Sequence, residues 1–291
     1  MAVPLLEPAL LRRLEALALQ VRRAVSGQMG GERRSRRRGQ SVEFADFRSY
    51  TPGDDYRLID WNAYARLDRF MLRLFVAEEE LPLSIFVDLS GSMDWGTPNK
   101  AETARRLAGA IAYVALSALD RVRLTVFAEG PTSGGAPYRG RRAAGELFAR
   151  LQSFPVGGPT NYARLVWPIG RQRPGMTVII SDALGEPGID EALSAVQRAH
   201  QEGAVLQLLA PQEMTPDWAG DARLKDAESG AEREFTATPL TQAAYARALT
   251  QRSEDVERLA HRRGLRYARL STAQPIDQMV QLTLRQIGLL G

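Results

Sequence analysis

The sequence predicts an α/β protein: a doubly wound, mostly parallel sheet with helices on both faces, joined to an N-terminal helix and a β-rich arm. Three observations lead there. From Leu83 onward, short β-branched runs alternate with longer alanine- and leucine-rich helical patterns, which is the rhythm of strand–helix–strand crossovers. The strand-like runs are short and mostly apolar, as buried strands are. Two of them end in aspartates, Asp88 and Asp182, at the strand ends where open α/β sheets hold ligands.

Taken in order, Leu10, Leu11, Leu14, Leu17, Val21 and Val25 fall at helical spacing across Pro8 to Val25, with Arg12, Arg13, Glu15, Arg22 and Arg23 opposite. This is an amphipathic helix, and it is expected to dock on the chain's own core. Gly27 to Gly39 is a glycine-flanked basic run with Arg33, Arg34, Arg36, Arg37 and Arg38. It reads as a solvated loop able to meet an acidic partner. Between Ser41 and Leu67, Glu43, Asp46, Arg48, Asp54, Asp55, Arg57, Asp60 and Arg66 are interleaved with Phe44, Phe47, Tyr50, Tyr56, Trp61 and Tyr64. Thr51-Pro52-Gly53-Asp54 has the residues of a type II turn. This arm is either a subdomain clamped by arginine–carboxylate pairs or a site in its own right. Phe70 to Val76 follows as a strand, and Glu78 to Glu80 separates it from what comes next.

Leu83 to Val87 is a buried strand, followed by a helix over Lys100 to Leu119 and a strand over Val122 to Phe127. A turn near Ser133 to Gly135, a helix over Ala143 to Gln152, the loop Gly157 to Asn161 and a short helix carrying Leu165 and Ile169 come next. Met176 to Ile180 is a strand ending in Ser181-Asp182. A helix from Ile189 to Glu202, stopped by Gly203, feeds the strand Ala204 to Leu209. Arg223 to Thr236 reads as a hairpin turning at Ser229-Gly230. A helix capped by Thr238, with Pro239 first and Gly264 past its end, leads to a strand over Leu265 to Leu270 and a closing helix over Ile276 to Leu289. Two parts are expected: residues 1–80, and residues 81–291 with a hairpin insertion near 221–237.

Composition removes several function classes. There is no cysteine, so disulfides, thiolate metal sites and cysteine nucleophiles are absent. His200 and His261 are the only histidines. Each stands alone on a polar helical stretch, so no Ser-His-Asp triad or histidine zinc site is expected. The net charge of +4 comes almost wholly from arginine, which genome composition or thermal adaptation explains as well as phosphate recognition does. Lys100 and Lys225 are the only lysines, and no P-loop motif is present. Leu107 to Leu119 is the longest apolar stretch, too short for the ~20 residues of a membrane span. No signal-peptide pattern opens the chain, and a cytoplasmic location is expected.

Asp88, Ser90 and Ser92 from one loop, Thr160 from the glycine-rich loop and Asp182 from a third offer two carboxylates and three hydroxyls, with no nitrogen or sulfur. Such a set suits an octahedral Mg²⁺ or Mn²⁺ that keeps an open position. The alternative reading of Asp88 and Ser90 is local: they cap the next helix and brace its loop.

At these residues the chain resembles the von Willebrand factor A fold and its metal-ion-dependent adhesion site. Asp88-Leu89-Ser90-Gly91-Ser92 matches the D-x-S-x-S element, Thr160 in Gly-Gly-Pro-Thr the threonine element, and Asp182 in Ile-Ser-Asp the final aspartate. Glu43-Phe44-Ala45-Asp46-Phe47-Arg48-Ser49-Tyr50, Pro52-Gly53-Asp54-Asp55 and Ile59-Asp60-Trp61 with Ala65-Arg66 resemble the signature of the bacterial family of unknown function numbered fifty-eight. The resemblance implies a von Willebrand A-like domain and association with a MoxR-type AAA+ ATPase. It also implies a Mg²⁺ or Mn²⁺ held directly by the hydroxyls of Ser90, Ser92 and Thr160, with one or both of Asp88 and Asp182 acting through water. A partner protein's Glu or Asp would fill the remaining position, so binding rather than catalysis is the expected output. Two other readings stand beside it. One is a Mg²⁺-dependent phosphohydrolase using Asp88, although Ser90 occupies the place where dehalogenase-like phosphatases carry a second aspartate. The other is a scaffold or nucleic-acid-binding protein with a vestigial metal site; nucleic acid is not the expected partner, since the basic run lacks aromatic residues on which bases could stack.

Overall fold

The computed structural model describes residues 4–17, 19, 44–75, 81–133, 135–185, 188–218 and 220–291. The arginine run, Glu43 and Glu78 to Glu80 lie outside the described residues, as does most of the predicted N-terminal helix beyond Leu17. The chain divides into two compact units, one of Met1–Arg23 with Leu81–Gly291 and one of Ala24–Glu80. The N-terminal segment therefore belongs with the sheet, not with the 1–80 part in which it was expected. The reason is its apolar face: helix α1 (Pro8–Leu14) buries Leu10 and Leu14, and with Leu5 and Leu6 they join the main core. The helix ends well short of Val25, in a turn after Leu14.

The smaller unit pairs β1 (Phe44–Ser49) antiparallel with β2 (Met71–Phe75). Between them a 3₁₀ turn at Tyr56–Leu58 leads into α2 (Trp61–Leu67). Here the acids make turns and caps. Asp54 accepts from Arg48 at 2.8 Å and from the Thr51 N–H and hydroxyl at 2.9 and 2.7 Å. Asp60 caps α2 by accepting from the Asn62 and Ala63 N–H groups at 2.8 and 3.1 Å. Tyr64 stacks on Phe70 with centroids 4.4 Å apart. Among the described residues one arginine–carboxylate pair, Arg48 with Asp54, braces this unit, and Asp55 and Asp60 serve as caps.

The larger unit is built on β3 (Pro82–Asp88), α3 (Lys100–Ser117), β4 (Arg121–Phe127), β5 (Pro131–Ser133), β6 (Tyr138–Arg139), α4 (Ala144–Ser153), α5 (Val166–Gly170), β7 (Met176–Ser181), α6 (Ile189–Arg198) and β8 (Glu202–Leu209). It continues with α7 (Pro211–Met214), β9 (Gly220–Lys225), β10 (Glu232–Ala237), α8 (Pro239–Arg262) and β11 (Arg266–Ser271). A closing helical segment runs from α9 (Ile276–Gln278) through a π turn at Met279–Thr283 to α10 (Leu284–Gln286).

Strand order is β11-β8-β7-β3-β4-β5, with β6 also pairing β4. The pairs β11–β8, β8–β7, β7–β3 and β3–β4 are parallel, and β5 and β6 run antiparallel to β4. Side chains alternate across the sheet and so feed two cores. Leu83, Ile85 and Val87 of β3 pack with α1, α3 and α4 on one face. Phe86, with Ile179 and Val205, packs with α5, α6 and α8 on the other. This is the doubly wound, mostly parallel arrangement read from the sequence. The chain steps from β3 to β4 on one side, then crosses back and runs β7, β8, β11 on the other. The topological switch point therefore lies between β3 and β7, where the crevice of such a sheet opens.

One helix stop differs from the reading. Helix α6 ends at Arg198, with His200 in the left-handed region at φ 52, a conformation histidine tolerates better than most side chains. Gly203 instead lies inside β8, where a Cβ would come within 2.8 Å of the Thr177 carbonyl oxygen. Among the described residues no helix is long and apolar enough to cross a membrane.

Candidate metal centre

Strand β3 delivers Asp88, fully buried, to the switch point. The chain leaves the strand through an Asx turn in which the Ser90 N–H donates to Asp88 Oδ1 at 3.0 Å. Ser90 then opens a 3₁₀ turn at Gly91–Met93 without making a side-chain cap bond. Its hydroxyl lies 3.1 Å from that of Ser92. The local capping role considered for Asp88 and Ser90 therefore covers the aspartate's first oxygen and leaves the serine hydroxyls facing each other.

The glycine-rich loop is laced to this turn by backbone bonds. The Gly91 N–H donates to the Gly158 carbonyl at 2.8 Å, and the Gly157 N–H to the Leu89 carbonyl at 2.9 Å. Those bonds set Thr160, 5% exposed, beside the first loop. Its N–H and hydroxyl donate to the two oxygens of Glu228, at 2.8 and 2.6 Å. Glu228 sits at the tip of the β9–β10 hairpin, 68 residues further along the chain.

Strand β7 brings Ser181 and Asp182. Ser181 donates to Asp88 Oδ2 at 2.5 Å and takes a bond from the Ala183 N–H at 3.0 Å. Because the Ser181 proton points to Asp88, the Tyr162 hydroxyl at 2.7 Å is the donor to Ser181 when Asp88 is ionised. Asp182, also fully buried, accepts from Lys100 Nζ at 2.8 Å and from the Leu184 N–H at 3.2 Å. Lys100, the first residue of α3, is 1% exposed and also pairs with Glu213 of α7. Arg252 of α8 holds the loop after β7 by donating to the carbonyls of Ala183 and Gly185, at 3.0 and 2.7 Å.

Burial, reinforced by the charge of Asp182, pushes the Asp88 carboxyl up to about 7. Burial also raises Glu213, against the pull of Lys100. Burial alone would lower the Lys100 ammonium, but Asp182 and Glu213 hold it above its ordinary value. The Tyr162 phenol is driven well up by burial and by Asp88 and Asp182, so it stays a neutral hydrogen-bond donor.

Residues 46–255 match the family described as "Protein of unknown function DUF58". The chain belongs to this family. The DUF58 match includes all five residues singled out in the sequence. Among its relatives are two mycobacterial proteins, each 32% identical over 260 residues, covering 87% of this chain and 81% of the relative. They are the uncharacterized protein Rv1480 of Mycobacterium tuberculosis and the uncharacterized protein Mb1516 of Mycobacterium bovis. Of solved structures, BatB from Bacteroides thetaiotaomicron overlaps 71% of this chain and 98% of its own, at 15% identity and a TM-score of 0.44. Manganese-loaded TRAP protein of Plasmodium vivax overlaps 45% of this chain and 58% of its own, at 19% identity and a TM-score of 0.38. These overlaps are partial, and the family assignment rests on the sequence match.

In this DUF58 chain the donor set fits a small divalent cation on two counts. Ligands on an octahedral ion at 2.0–2.1 Å are separated by about 3.0 Å along each cis edge, and the Ser90 and Ser92 oxygens stand 3.1 Å apart. The second count is charge. Three buried or half-buried carboxylates, Asp88, Asp182 and Glu213, face one ammonium, Lys100. With all ionised these leave an excess of two negative charges, and Glu228 beside Thr160 adds a third, so the site carries negative charge that a divalent cation would offset. Among the described residues no three His, Cys, Asp or Glu side chains gather as a metal cluster, so a cation here would have to draw on the hydroxyls.

Five participants escaped the sequence reading: Lys100, Tyr162, Ser181, Glu213 and Glu228. Lys100 carried a faint signal, as one of two lysines in an arginine-rich chain and the opening residue of the helix that follows the first loop. Ser181, adjacent to Asp182 at a strand end, carried another. Glu213 and Glu228 carried none, because each reaches the site from a different supersecondary unit.

Proposed function

We propose that this protein is a metal-dependent protein-binding module whose Mg²⁺ or Mn²⁺ is held by Ser90, Ser92 and Thr160, with Asp88 and Asp182 behind them. The observation that carries the reading is the paired serine hydroxyls, at octahedral spacing, over a buried excess of negative charge at the switch point. When bound, the cation supplies an electrophilic centre for a carboxylate of another protein. The chain's own residues do the rest. Ser181 and the Ser90 N–H orient Asp88, Lys100 and the Leu184 N–H orient Asp182, and the glycine-laced loop sets Thr160 beside the first turn.

The output is binding rather than bond cleavage. Both Asp88 oxygens already accept hydrogen bonds, and the side chain is fully buried, which does not favour attack on a phosphorus atom. The resemblance of the segment from Glu43 to Arg66 to the family's signature adds a partner class, a MoxR-type AAA+ ATPase in the cytoplasm. Co-purification with such an ATPase in Mg²⁺, lost in EDTA, tests that part.

Thermal melts test the site itself. Mg²⁺ and Mn²⁺ should raise the melting temperature of the wild type over that in EDTA, while Ser90→Ala and Asp88→Asn, folded in EDTA, should show no metal response. A wild type that melts identically in metal and EDTA contradicts the reading.

A further inference from the structure

The hairpin of β9 and β10 stands apart from the main sheet as its own two-stranded pair. Its base is anchored: Trp218 packs edge-on against Phe235 and against Tyr245 of α8, with centroids 5.1 and 4.8 Å apart. Its stem is exposed and braced across the strands, Arg223 pairing with Glu232 and Glu234 at 3.2 and 2.9 Å. Its tip is wired by Asp226, which accepts from the N–H groups of Glu228 and Ser229 at 3.0 and 2.6 Å. From Asp226 to Ala231 only Glu228 is not exposed.

That side chain is drawn in because Thr160 donates to both of its oxygens. The approach is close. A Cβ at Gly91, inside the D-x-S-x-S turn, would meet the Ala227 carbonyl oxygen at 2.6 Å, so only glycine lets the tip lie over the turn. Glu228 Oε1 accepts from Thr160 Oγ1 at 2.6 Å, a short charge-assisted bond that holds a carboxylate directly against a hydroxyl that would hold the metal.

We infer that Glu228 is a tethered competitor for the position a partner's carboxylate would take, so that a partner must displace the hairpin tip to engage the site. The inference rests on the metal-dependent reading above. It makes the hairpin a self-occluding element: an anchored base, an exposed stem to be levered away, and a carboxylate at the tip of the kind the site is built to receive. A partner must then present a Glu or Asp that outcompetes a tether of millimolar effective concentration.

Acetate serves as the probe. Mn²⁺ affinity is measured by calorimetry for the wild type, Glu228→Ala and Glu228→Gln, with acetate at tens of millimolar, above the ~mM effective concentration of a short tether, and with chloride at equal ionic strength. Acetate should tighten Mn²⁺ binding several-fold in both variants and leave the wild type unchanged. Hydrogen exchange at residues 226–231, without metal, should be faster in Glu228→Ala than in the wild type. Mn²⁺ binding that responds to acetate equally in all three proteins, or in none, overturns the tethered competitor while leaving the metal site standing. Unchanged exchange at the tip overturns it as well. Failure of Mn²⁺ to bind any of the three overturns the metal reading and the competitor with it.

Discussion

The switch-point site and the small unit between β1 and β2 are both rich in acids, yet they use them in opposite ways. In the small unit Asp54, Asp55 and Asp60 serve neighbours in sequence: Asp54 accepts from Arg48 and Thr51, Asp55 from the Arg57 N–H, Asp60 from Asn62 and Ala63. In the site the partners are remote. Lys100 meets Asp182 across 82 residues, and Ser181 meets Asp88 across 93. Asp54 and Asp55 are partly solvated and cheap to replace, and the buried Asp60 is satisfied by the first N–H groups of its own helix, whereas remote, buried acids must be compensated by groups brought from elsewhere. Density of charge in a sequence therefore says little; burial and the distance to the partner decide what an acid does.

The sharpest way to break this contrast is to remove one cation from each region. Lys100→Met leaves Asp182 and Glu213 without their ammonium, and breaking a buried pair in this way costs about 3–5 kcal/mol. A melting temperature lower by roughly 10 °C in EDTA is expected. Because the site becomes more negative, the same variant should bind Mn²⁺ more tightly. Arg48→Ala, in a part-buried pair formed within a single turn, should lower the melting temperature far less. Equal losses in the two variants would erase the distinction between the regions.

A smaller effect of opposite sign in the two regions comes from pH. Asp88 is raised to about 7, above the ~3.9 of an unfolded aspartate. Between those values the folded state binds the extra proton, so the Asp88 contribution to metal-free stability falls as pH rises through the window. Mn²⁺ competes with that proton, and its stabilising shift should grow over the same range. Asp54 is lowered, first by its hydrogen bond from Arg48 and then by Thr51. Its contribution is present above the usual aspartate range and is lost as pH falls below it. Urea unfolding in EDTA from about pH 5 to 8 reads the first effect, and Asp88→Asn should flatten the slope. A slope unchanged by the substitution contradicts the assignment.

How much of this could be read beforehand follows the same division. Strands β3, β7 and β8 and helix α3 were legible because continuous apolar runs and helical periodicity are local properties. So were the strand-end and loop positions of Asp88, Ser90, Ser92, Thr160 and Asp182, each with its own local pattern. The stop of α6 was misplaced by three residues or so because His200 takes a conformation for which Gly203 is the more obvious candidate. The N-terminal helix docks on the chain's own core as expected, but its grouping with the arm differed, because amphipathic spacing marks a docking face without marking which unit receives it. Glu213 and Glu228 were invisible for a stronger reason: α7 and the hairpin are oriented by tertiary packing, and nothing near either residue in sequence marks it.

The most direct test is calorimetric titration of Mn²⁺ into the wild type and into Ser90→Ala and Thr51→Ala, at a pH above 7 where the Asp88 proton no longer competes. Both substitutions remove one hydroxyl, the first from the switch point and the second from the Asp54 turn. One Mn²⁺ bound by the wild type and by Thr51→Ala, with binding lost or weakened by at least about ten-fold, ~1.4 kcal/mol, in Ser90→Ala, is the predicted result. Binding that Ser90→Ala leaves untouched, or no binding by the wild type, would contradict the account.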